Sequence, residues 1–249
     1  MSPAPAIVVC ADDFGMSEGV SGVIADLLER GALSATTCLV NAPAWPHTFE
    51  RLRGIADGER DIAVGLHLDL PGPWTGAATA LVAFRAQWRR FEQDFGRPPD
   101  FVDGHRHVHL FPGPRRALFQ LVGEMDARCW LRQCRTSSTR MSVKRLVLDG
   151  LSLGFRRQAE REKRPTNPGF GGLRRFDPAE DIAAAWRRDL AAMRRGGVLM
   201  THPGPIDTID AISASRAQEA RLLATGALVA ALAASGLVMR GVSASWAEG

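Results

Sequence analysis

Two adjacent acidic residues, Asp12 and Asp13, directly follow an apolar run in the stretch IVVCADDFGMSEGV. The run, residues 6–11, consists of small and β-branched residues and predicts a strand buried on both faces. An aspartate after a strand often begins a turn or caps a helix. It can also bind a metal ion or accept a proton. The pair therefore marks a candidate site, which both neighbouring carboxylates would have to face.

Histidines are concentrated at similar positions. His67 lies in VGLHLDL, and His105, His107 and His109 alternate in DGHRHVHLFP. A single histidine could be a hydrogen-bonded core residue, but alternation at period two predicts three imidazoles on one face of an extended segment. Packing alone explains this poorly, because each neutral imidazole needs a hydrogen-bond partner. Of the six histidines, only His47 lies within a predicted helix.

An aspartate oxygen and two histidine nitrogens form a ligand set typical of hydrolytic metal sites, where three protein ligands leave one position open for water. A divalent ion in such a site lowers the pKa of its water and polarises a carbonyl under attack. A second carboxylate nearby can then take the proton of the water. This chemistry needs two carboxylates with different roles close together.

Strands and helices alternate along the whole chain, which predicts a single-domain α/β fold, a β/α barrel with an incomplete or distorted set of strands. The first strand is not followed by GxGxxG, and no Walker A sequence occurs, so a nucleotide cofactor has no support. Helices are expected between the strands, including one continuous helix at 213–236. The predicted strands are 6–11, 35–41, 61–70, the start of 100–112, 129–136, 198–204 and 237–243.

In a β/α barrel, the C-terminal ends of the strands meet at one mouth, where active sites lie. Polar residues occur at this end of nearly every predicted unit. They are Asp12, Asp13, Asn41, His67, Asp103 to His105, Arg132 or Arg135, Thr201 and His202. Because Asp12 and Asp13 are neighbours in a strand, they can share a site only if the chain bends, and Phe14-Gly15 is the expected place for that bend.

The 249 residues are 45% hydrophobic and 23% charged, as in a globular protein. No apolar run approaches the ~20 residues of a membrane-spanning helix, and the N-terminus lacks the basic region of a signal peptide, so a cytoplasmic location is expected. Four cysteines without CxxC spacing predict reduced, buried thiols. The net charge of +4 comes mainly from dispersed arginines. The basic segment 140–175 could contact an anion or a partner, and we expect no nucleic-acid partner.

Four motifs, ADDFGMSEGV, VGLHLDL, DGHRHVHLFP and MTHPG, resemble in order and separation those of the YdjC-like carbohydrate deacetylases, which include the chitooligosaccharide deacetylases and the HpnK group. The resemblance implies a distorted β/α barrel that removes acetyl groups from N-acetylated sugars with one divalent metal ion. It implies that the metal ligands are Asp13, His67 and His105. The family implies Mg²⁺, although imidazole ligands suit Zn²⁺ or another transition metal better.

The resemblance also implies that Asp12 is the base that activates water, and that His202 protonates the departing amine or stabilises the oxyanion. Substrate contacts, or contacts that support the ligands, are expected from His107, His109, Arg132 and Asn41. Two residues depart from the family pattern. Asp69 stands where relatives often have Asn, and Arg106, expected to point away from the histidine face, stands where many have His.

The segment 136–176 matches the family least well. It is interpreted either as a lid, with TNPGFGG as its mobile part, or as an ordinary surface insertion. The predicted function is that of a metal-dependent hydrolase acting on an N-acetylhexosamine-containing carbohydrate or glycolipid. Two alternatives stay open: a barrel-type phosphoesterase, which would need more ligands for two ions, and a non-catalytic protein that binds sugar or nucleic acid. The sugar and the oligomeric state, including a homodimer, also stay open.

Overall fold

The computed structural model describes residues 4–125, 128–136, 143–177, 179–193, 195–206, 211–242 and 246. Within these residues a parallel sheet forms the core, with the order β5-β4-β3-β2-β1-β7-β6 and with β8 paired to the start of β1. The strands are β1 (Ala6–Phe14), β2 (Ala35–Cys38), β3 (Ala63–Leu68), β4 (Phe101–Gly104), β5 (Trp130–Leu131), β6 (Phe170–Gly171), β7 (Gly197–Thr201) and β8 (Val238–Met239). The curled sheet is a half-barrel, which confirms the predicted incomplete β/α barrel.

Helices connect the strands and cover the outside of the sheet. They are α1 (Glu18–Glu29), α2 (Trp45–Ala56), α3 (Ala77–Phe95), a 3₁₀ helix (His105–Leu110), α4 (Pro112–Glu124), α5 (Val143–Arg161), α6 (Ile182–Ala192), α7 (Ser213–Ala224) and α8 (Ala227–Ala234). The hydroxyl of Ser17 caps α1 by accepting from the Val20 N–H at 3.1 Å. The prediction of a single helix at 213–236 is wrong, because Gly226, at φ 72°, separates α7 from α8.

The gap between β5 and β6 is closed by hydrogen bonds outside the regular ladder. The Leu131 N–H donates to the Pro165 carbonyl at 2.9 Å. The side chain of Asn167 accepts from the Gln133 N–H at 2.9 Å and donates to the Gln133 carbonyl at 3.1 Å. A side-chain amide therefore satisfies the backbone groups that a longer strand would have paired.

The glycine-rich TNPGFGG piece, which the sequence left open as the mobile part of a lid or part of a surface insertion, supplies β6 in the barrel wall. Phe170 and Gly171 pair with Val198 and Leu199 of β7 and are buried. Gly172, at φ 90°, lies so close to the backbone of Met200 that a side chain would collide with it. The glycines thus permit close packing of β6 against β7. Residues 137–142 of the predicted lid segment lie outside the described residues.

All nine residues of β1 are buried, as expected for a central strand of a parallel sheet. The rings of Phe101 and Trp130 stack at 4.4 Å between the neighbouring strands β4 and β5. The four cysteines are buried and unpaired, which confirms that prediction. Among the described helices, none is both long and apolar enough to cross a membrane.

Candidate active site

β1 carries both aspartates into the mouth of the barrel. The strand runs through Asp12 and Asp13 to Phe14, beyond the predicted end at residue 11. Asp13 adopts φ 73°, and the register of β1 against β2 shifts between Ala11 and Phe14. The bend therefore begins at Asp13, one residue before the predicted place, and Gly15, within that place, is also left-handed, at φ 94°. An aspartate tolerates this left-handed conformation better than most residues, and the bulge breaks the alternation of side chains, so both carboxylates line one pocket.

Asp13, His67 and His105 form a cluster that could hold one metal ion. Asp13 Oδ1 lies 3.0 Å from His105 Nδ1 and 3.5 Å from His67 Nε2. One ligand atom from each residue lies within 4.8 Å of the other two. The cluster joins β1, β3 and the start of the 3₁₀ helix, as the sequence predicts for strand ends at one mouth. One oxygen and two nitrogens are a set that leaves a coordination position for water.

Asp103 orients His67 within this cluster, a role that the sequence did not reveal. Its Oδ1 lies 2.5 Å from His67 Nδ1 and accepts from the Thr37 hydroxyl at 2.9 Å. The contact leaves His67 Nε2 directed at Asp13, as in metal sites where a carboxylate holds the far nitrogen of a histidine ligand. Burial lowers the pKa of His67, but the carboxylates of Asp103, Asp13 and Asp12 outweigh it and raise this pKa to about 10. A divalent cation can take the place of a proton held this strongly.

Asp12 is held by a buried arginine. Arg132 Nη1 and Nη2 each donate to one oxygen of Asp12 at 2.7 Å, and Nη2 also lies 2.7 Å from Asp103 Oδ2. Burial raises the pKa of Asp12, but the charge and hydrogen bonds of Arg132 outweigh it and lower this pKa to about 2. Arg132 is fully buried and is not among the residues that line the pocket. Besides the two carboxylates, its guanidinium contacts Cys10 Sγ at 3.9 Å.

His202 follows β7 on the other side of Asp12. Its Nε2 lies 3.9 Å from Asp12 Oδ2. Its backbone N–H donates to Glu219 Oε2 at 2.5 Å, and the Phe176 ring meets its imidazole edge to face at 5.1 Å. Burial lowers the pKa of His202 to about 4, against the opposing effect of Asp12 and Asp13. The imidazole is therefore neutral near pH 7.

The histidine tract is not extended, and its three histidines do not share a face. Residues His105–Leu110 form a 3₁₀ helix in which Arg106 and His107 have φ values of 50° and 60°. His105 and His107 both line the pocket, where His105 contacts Asp13 and His107 packs against Phe170 at 6.3 Å, but His109 does not line it. The prediction of alternation was wrong because the tract leaves the sheet at Gly104, where β4 ends, so the strand periodicity no longer applies.

The other predicted residues fall at different distances from the pocket. His109 is fully buried, with Nε2 2.9 Å from the Arg132 carbonyl, and burial lowers its pKa to about 4. Asn41 is exposed in the turn after β2 and is not among the pocket-lining residues, because β2 already ends at Cys38. Arg106 lines the pocket, contrary to the expectation that it points away. Asp69 is exposed.

α7 contributes groups that the sequence did not single out. Arg216 Nη2 donates to Asp13 Oδ2 at 2.7 Å, leaving Oδ1 for the two histidines. Glu219, three residues later, is 1% exposed and binds the backbone of His202. The only signal in the sequence is a pair of opposite charges three residues apart, which is usual on solvated helices. Apolar side chains complete a pocket of about 350 Å³, among them Leu173, Phe176, Met200 and Ile212.

Comparisons with known proteins identify a family for this chain. The family model described as YdjC-like protein matches residues 6–234. The chitooligosaccharide deacetylases of Escherichia fergusonii and Proteus mirabilis are 33% identical over 147 residues and 30% identical over 144. These matches cover 49% and 47% of this chain and 55% and 54% of those relatives, about half of their length. That of Enterobacter sp. (strain 638) is 27% identical over 261 residues, covering 92% of this chain and 95% of the relative.

Solved structures share the fold. A proposed cellobiose-phosphate cleavage protein from Enterococcus faecalis V583 has a TM-score of 0.74 at 19% identity, covering 96% of this chain and 98% of that one. A mutant CE4-family pseudoenzyme with restored activity has a TM-score of 0.55 at 10% identity, covering 100% of this chain and 73% of that one. Identities this low show the fold alone. Because the family model matches nearly the whole chain, this protein belongs to the YdjC-like family.

Proposed function

We propose that this protein is a metal-dependent carbohydrate N-deacetylase, which removes the acetyl group from an N-acetylhexosamine-containing carbohydrate or glycolipid. The observation that carries the proposal is one pocket that holds a three-ligand cluster, Asp13, His67 and His105, beside Asp12 and His202. The names of the curated relatives, chitooligosaccharide deacetylases, support an N-acetylated sugar as substrate.

The residues present fit a single divalent ion. Asp13 Oδ1, His67 Nε2 and His105 Nδ1 would hold it, and Arg216 and Asp103 would fix the orientation of two of these ligands. The bound ion would polarise the amide carbonyl and make a water molecule acidic. The resemblance implies Mg²⁺, but two imidazole ligands favour Zn²⁺ or another transition metal. We therefore expect a transition metal to bind more tightly than Mg²⁺.

Asp12 would accept the proton of the attacking water as the water oxygen bonds to the acyl carbon. Arg132 keeps Asp12 ionised and fixes its position. A carboxylate with so low a pKa is a weak base, so the proton would pass on readily, and His202 Nε2 is 3.9 Å away. As the carbon–nitrogen bond breaks, His202 would deliver that proton to the departing amine. The products are acetate and a free amino sugar.

The alternative functions are supported less well. A phosphoesterase with two ions needs a second ligand set, and the described residues offer only the group Asp12, His67 and Asp103. That group shares His67 with the first one, and Arg132 already binds both of its carboxylates. A non-catalytic sugar-binding protein would have no need for a buried ionised Asp12 beside His202.

Acetate and phosphate release measured side by side would test the proposal. The substrates are N-acetylglucosamine, N-acetylated chitooligosaccharides, N-acetylated glycolipid precursors and sugar phosphates, each with Zn²⁺, Co²⁺, Ni²⁺ or Mg²⁺. We expect acetate from at least one acetylated substrate and no phosphate from any. Asp12→Asn should bind the metal and release no acetate, and His47→Ala, at an exposed helical histidine, is the matched control. Phosphate release, or full activity of Asp12→Asn, would contradict the proposal.

We also propose a cytoplasmic location. Four unpaired and buried cysteines support it, because thiols stay reduced in that compartment. Burial raises the pKa of Cys129 and of Cys134 to about 12, so these thiols are unreactive.

A further inference from the structure

A buried arginine in the loop after β6 contacts several groups around His202. Arg174 is 4% exposed. Its Nη1 lies 3.0 Å from Glu219 Oε1, and its Nη2 donates to the Ser215 hydroxyl at 2.5 Å. Ser215 and Glu219 are one helical turn apart in α7, so Arg174 fastens the loop to one face of this helix.

Two of the residues that Arg174 contacts, Glu219 and Phe176, also contact His202. Glu219 uses its other oxygen, Oε2, to accept from the His202 N–H. The Arg174 guanidinium carbon lies 5.8 Å from the centre of the Phe176 ring, and that ring packs against the imidazole. The backbone of His202 is thus held through Glu219, and its ring is held through Phe176.

The backbone conformation of Phe176 indicates that holding its ring against His202 costs free energy. Its φ is 58°, a left-handed conformation that bulky residues rarely adopt. Strained backbone of this kind persists where the surrounding structure fixes it, often at functional sites. A buried ion pair is itself weak evidence for stability, because burial of the two charges offsets their attraction. The placement around His202 therefore favours a role in positioning over one in stability alone.

We propose that Arg174 and Glu219 are positioning residues for His202. Glu219 fixes the backbone N–H of His202, and Arg174 fixes both Glu219 and the Phe176 ring that bounds the imidazole. This inference rests on the proposed function, in which His202 moves a proton between Asp12 and the departing amine. A shift of the imidazole by about 1 Å would lower turnover by roughly a hundredfold without preventing substrate binding.

Kinetics of four variants and one control variant in the metal-loaded protein test this role. Arg174→Gln and Glu219→Ala should lower kcat by about 10- to 100-fold, with KM changed less than about twofold. Arg174→Lys should recover part of the loss, because it keeps the charge opposite Glu219. Glu219→Gln should be less affected than Glu219→Ala, because its amide oxygen can still accept from the His202 N–H. Arg175→Gln, at the exposed neighbouring arginine, is the control and should match the wild type.

A spectroscopic measurement separates this inference from the proposed function. In protein labelled with ¹⁵N-histidine, the imidazole signals of His202, assigned with His202→Gln, should shift in Arg174→Gln and stay in place in Arg175→Gln. If kcat and the His202 signals are unchanged while only the thermal midpoint falls, the pair is merely structural and the inference is overturned. If the wild type releases no acetate, the deacetylase proposal fails, and the signals alone then decide whether Arg174 positions His202.

Discussion

The two halves of the barrel contribute to the candidate site in different ways. From β1 to β5 the strands lie in sequence order, and their ends supply Asp12, Asp13 and His67 directly. Around β6 and β7, a loop supplies Arg174 and a helix supplies Glu219. Glu219 binds the backbone of His202, and Arg174 contacts Glu219. The first half provides the three residues proposed as metal ligands, and the second half provides the groups proposed to position His202.

This difference explains which residues a sequence can reveal. The end of a buried strand is marked by the change from apolar to polar residues, so a carboxylate or histidine there stands out. A charge on a helix resembles a solvated surface residue until the tertiary structure shows that it is buried. Arg216 and Glu219, at 3% and 1% exposure, are such residues.

The largest expected effects distinguish a variant in the first half from a variant in the second half by the amount of metal that each one binds. His67→Ala removes a proposed ligand, so the variant should no longer bind the ion. Its activity should fall at least about a thousandfold, because the ion would supply several kcal/mol of transition-state stabilisation. His202→Ala should keep the ion and lose about 10²- to 10⁴-fold in activity, the usual range for a proton-transfer group. Metal analysis by mass spectrometry, together with acetate release, measures both. Loss of the ion in His202→Ala would contradict the claim that only residues of the first half bind the metal.

The next effect compares one buried arginine from each half. Arg132→Met leaves the carboxylates of Asp12 and Asp103 buried without a cation and should lower the free energy of unfolding by about 3–5 kcal/mol. Arg174→Met leaves Glu219 buried without the cation of Arg174. Burial raises the pKa of Glu219 to about 7, against the opposing effect of Arg174. Glu219 can therefore take up a proton, and the cost should be smaller, about 1–3 kcal/mol. Urea denaturation at pH 7 checks the order, and equal losses would contradict this explanation.

The smallest effect concerns the pH dependence of stability in the metal-free protein. Burial lowers the pKa of His109 from 6.5 to about 4. Between these values the unfolded chain binds a proton that the folded chain does not, so His109 makes stability fall as the pH drops from 6.5 to 4. His109→Gln should therefore lose less stability than the wild type between pH 7 and pH 4.5, as measured by urea denaturation. Parallel losses in the two proteins would show that His109 is not buried as a neutral group.

Much of the fold was predictable from the sequence because the strand and helix patterns are regular. The barrel class follows from the alternation of these patterns, and helices α1, α3 and α6 lie between strands, as expected. The break at Gly226 was not predicted, because apolar residues continue on both sides of it. The placement of TNPGFGG in β6 was missed because glycine-rich segments usually form loops.

The candidate site was predictable where it depends on strand ends. Asp12, Asp13, His67, His105 and His202 all line the pocket, as expected of residues at one mouth. The faces of His107 and His109 were not predictable, because they depend on left-handed backbone at Arg106 and His107. Arg216 lies 203 residues from its partner Asp13 in the chain, and only the folded half-barrel brings the two together.

Acetate release as a function of metal occupancy tests the central claim most directly. Metal-free protein would be titrated with a transition metal and assayed on an N-acetylated chitooligosaccharide at each step. We predict that acetate release rises in proportion to bound metal up to one ion per chain, stops on chelation and returns when the metal is restored. Acetate release that is independent of the metal, or no acetate from any N-acetylated substrate at full occupancy, would contradict the claim.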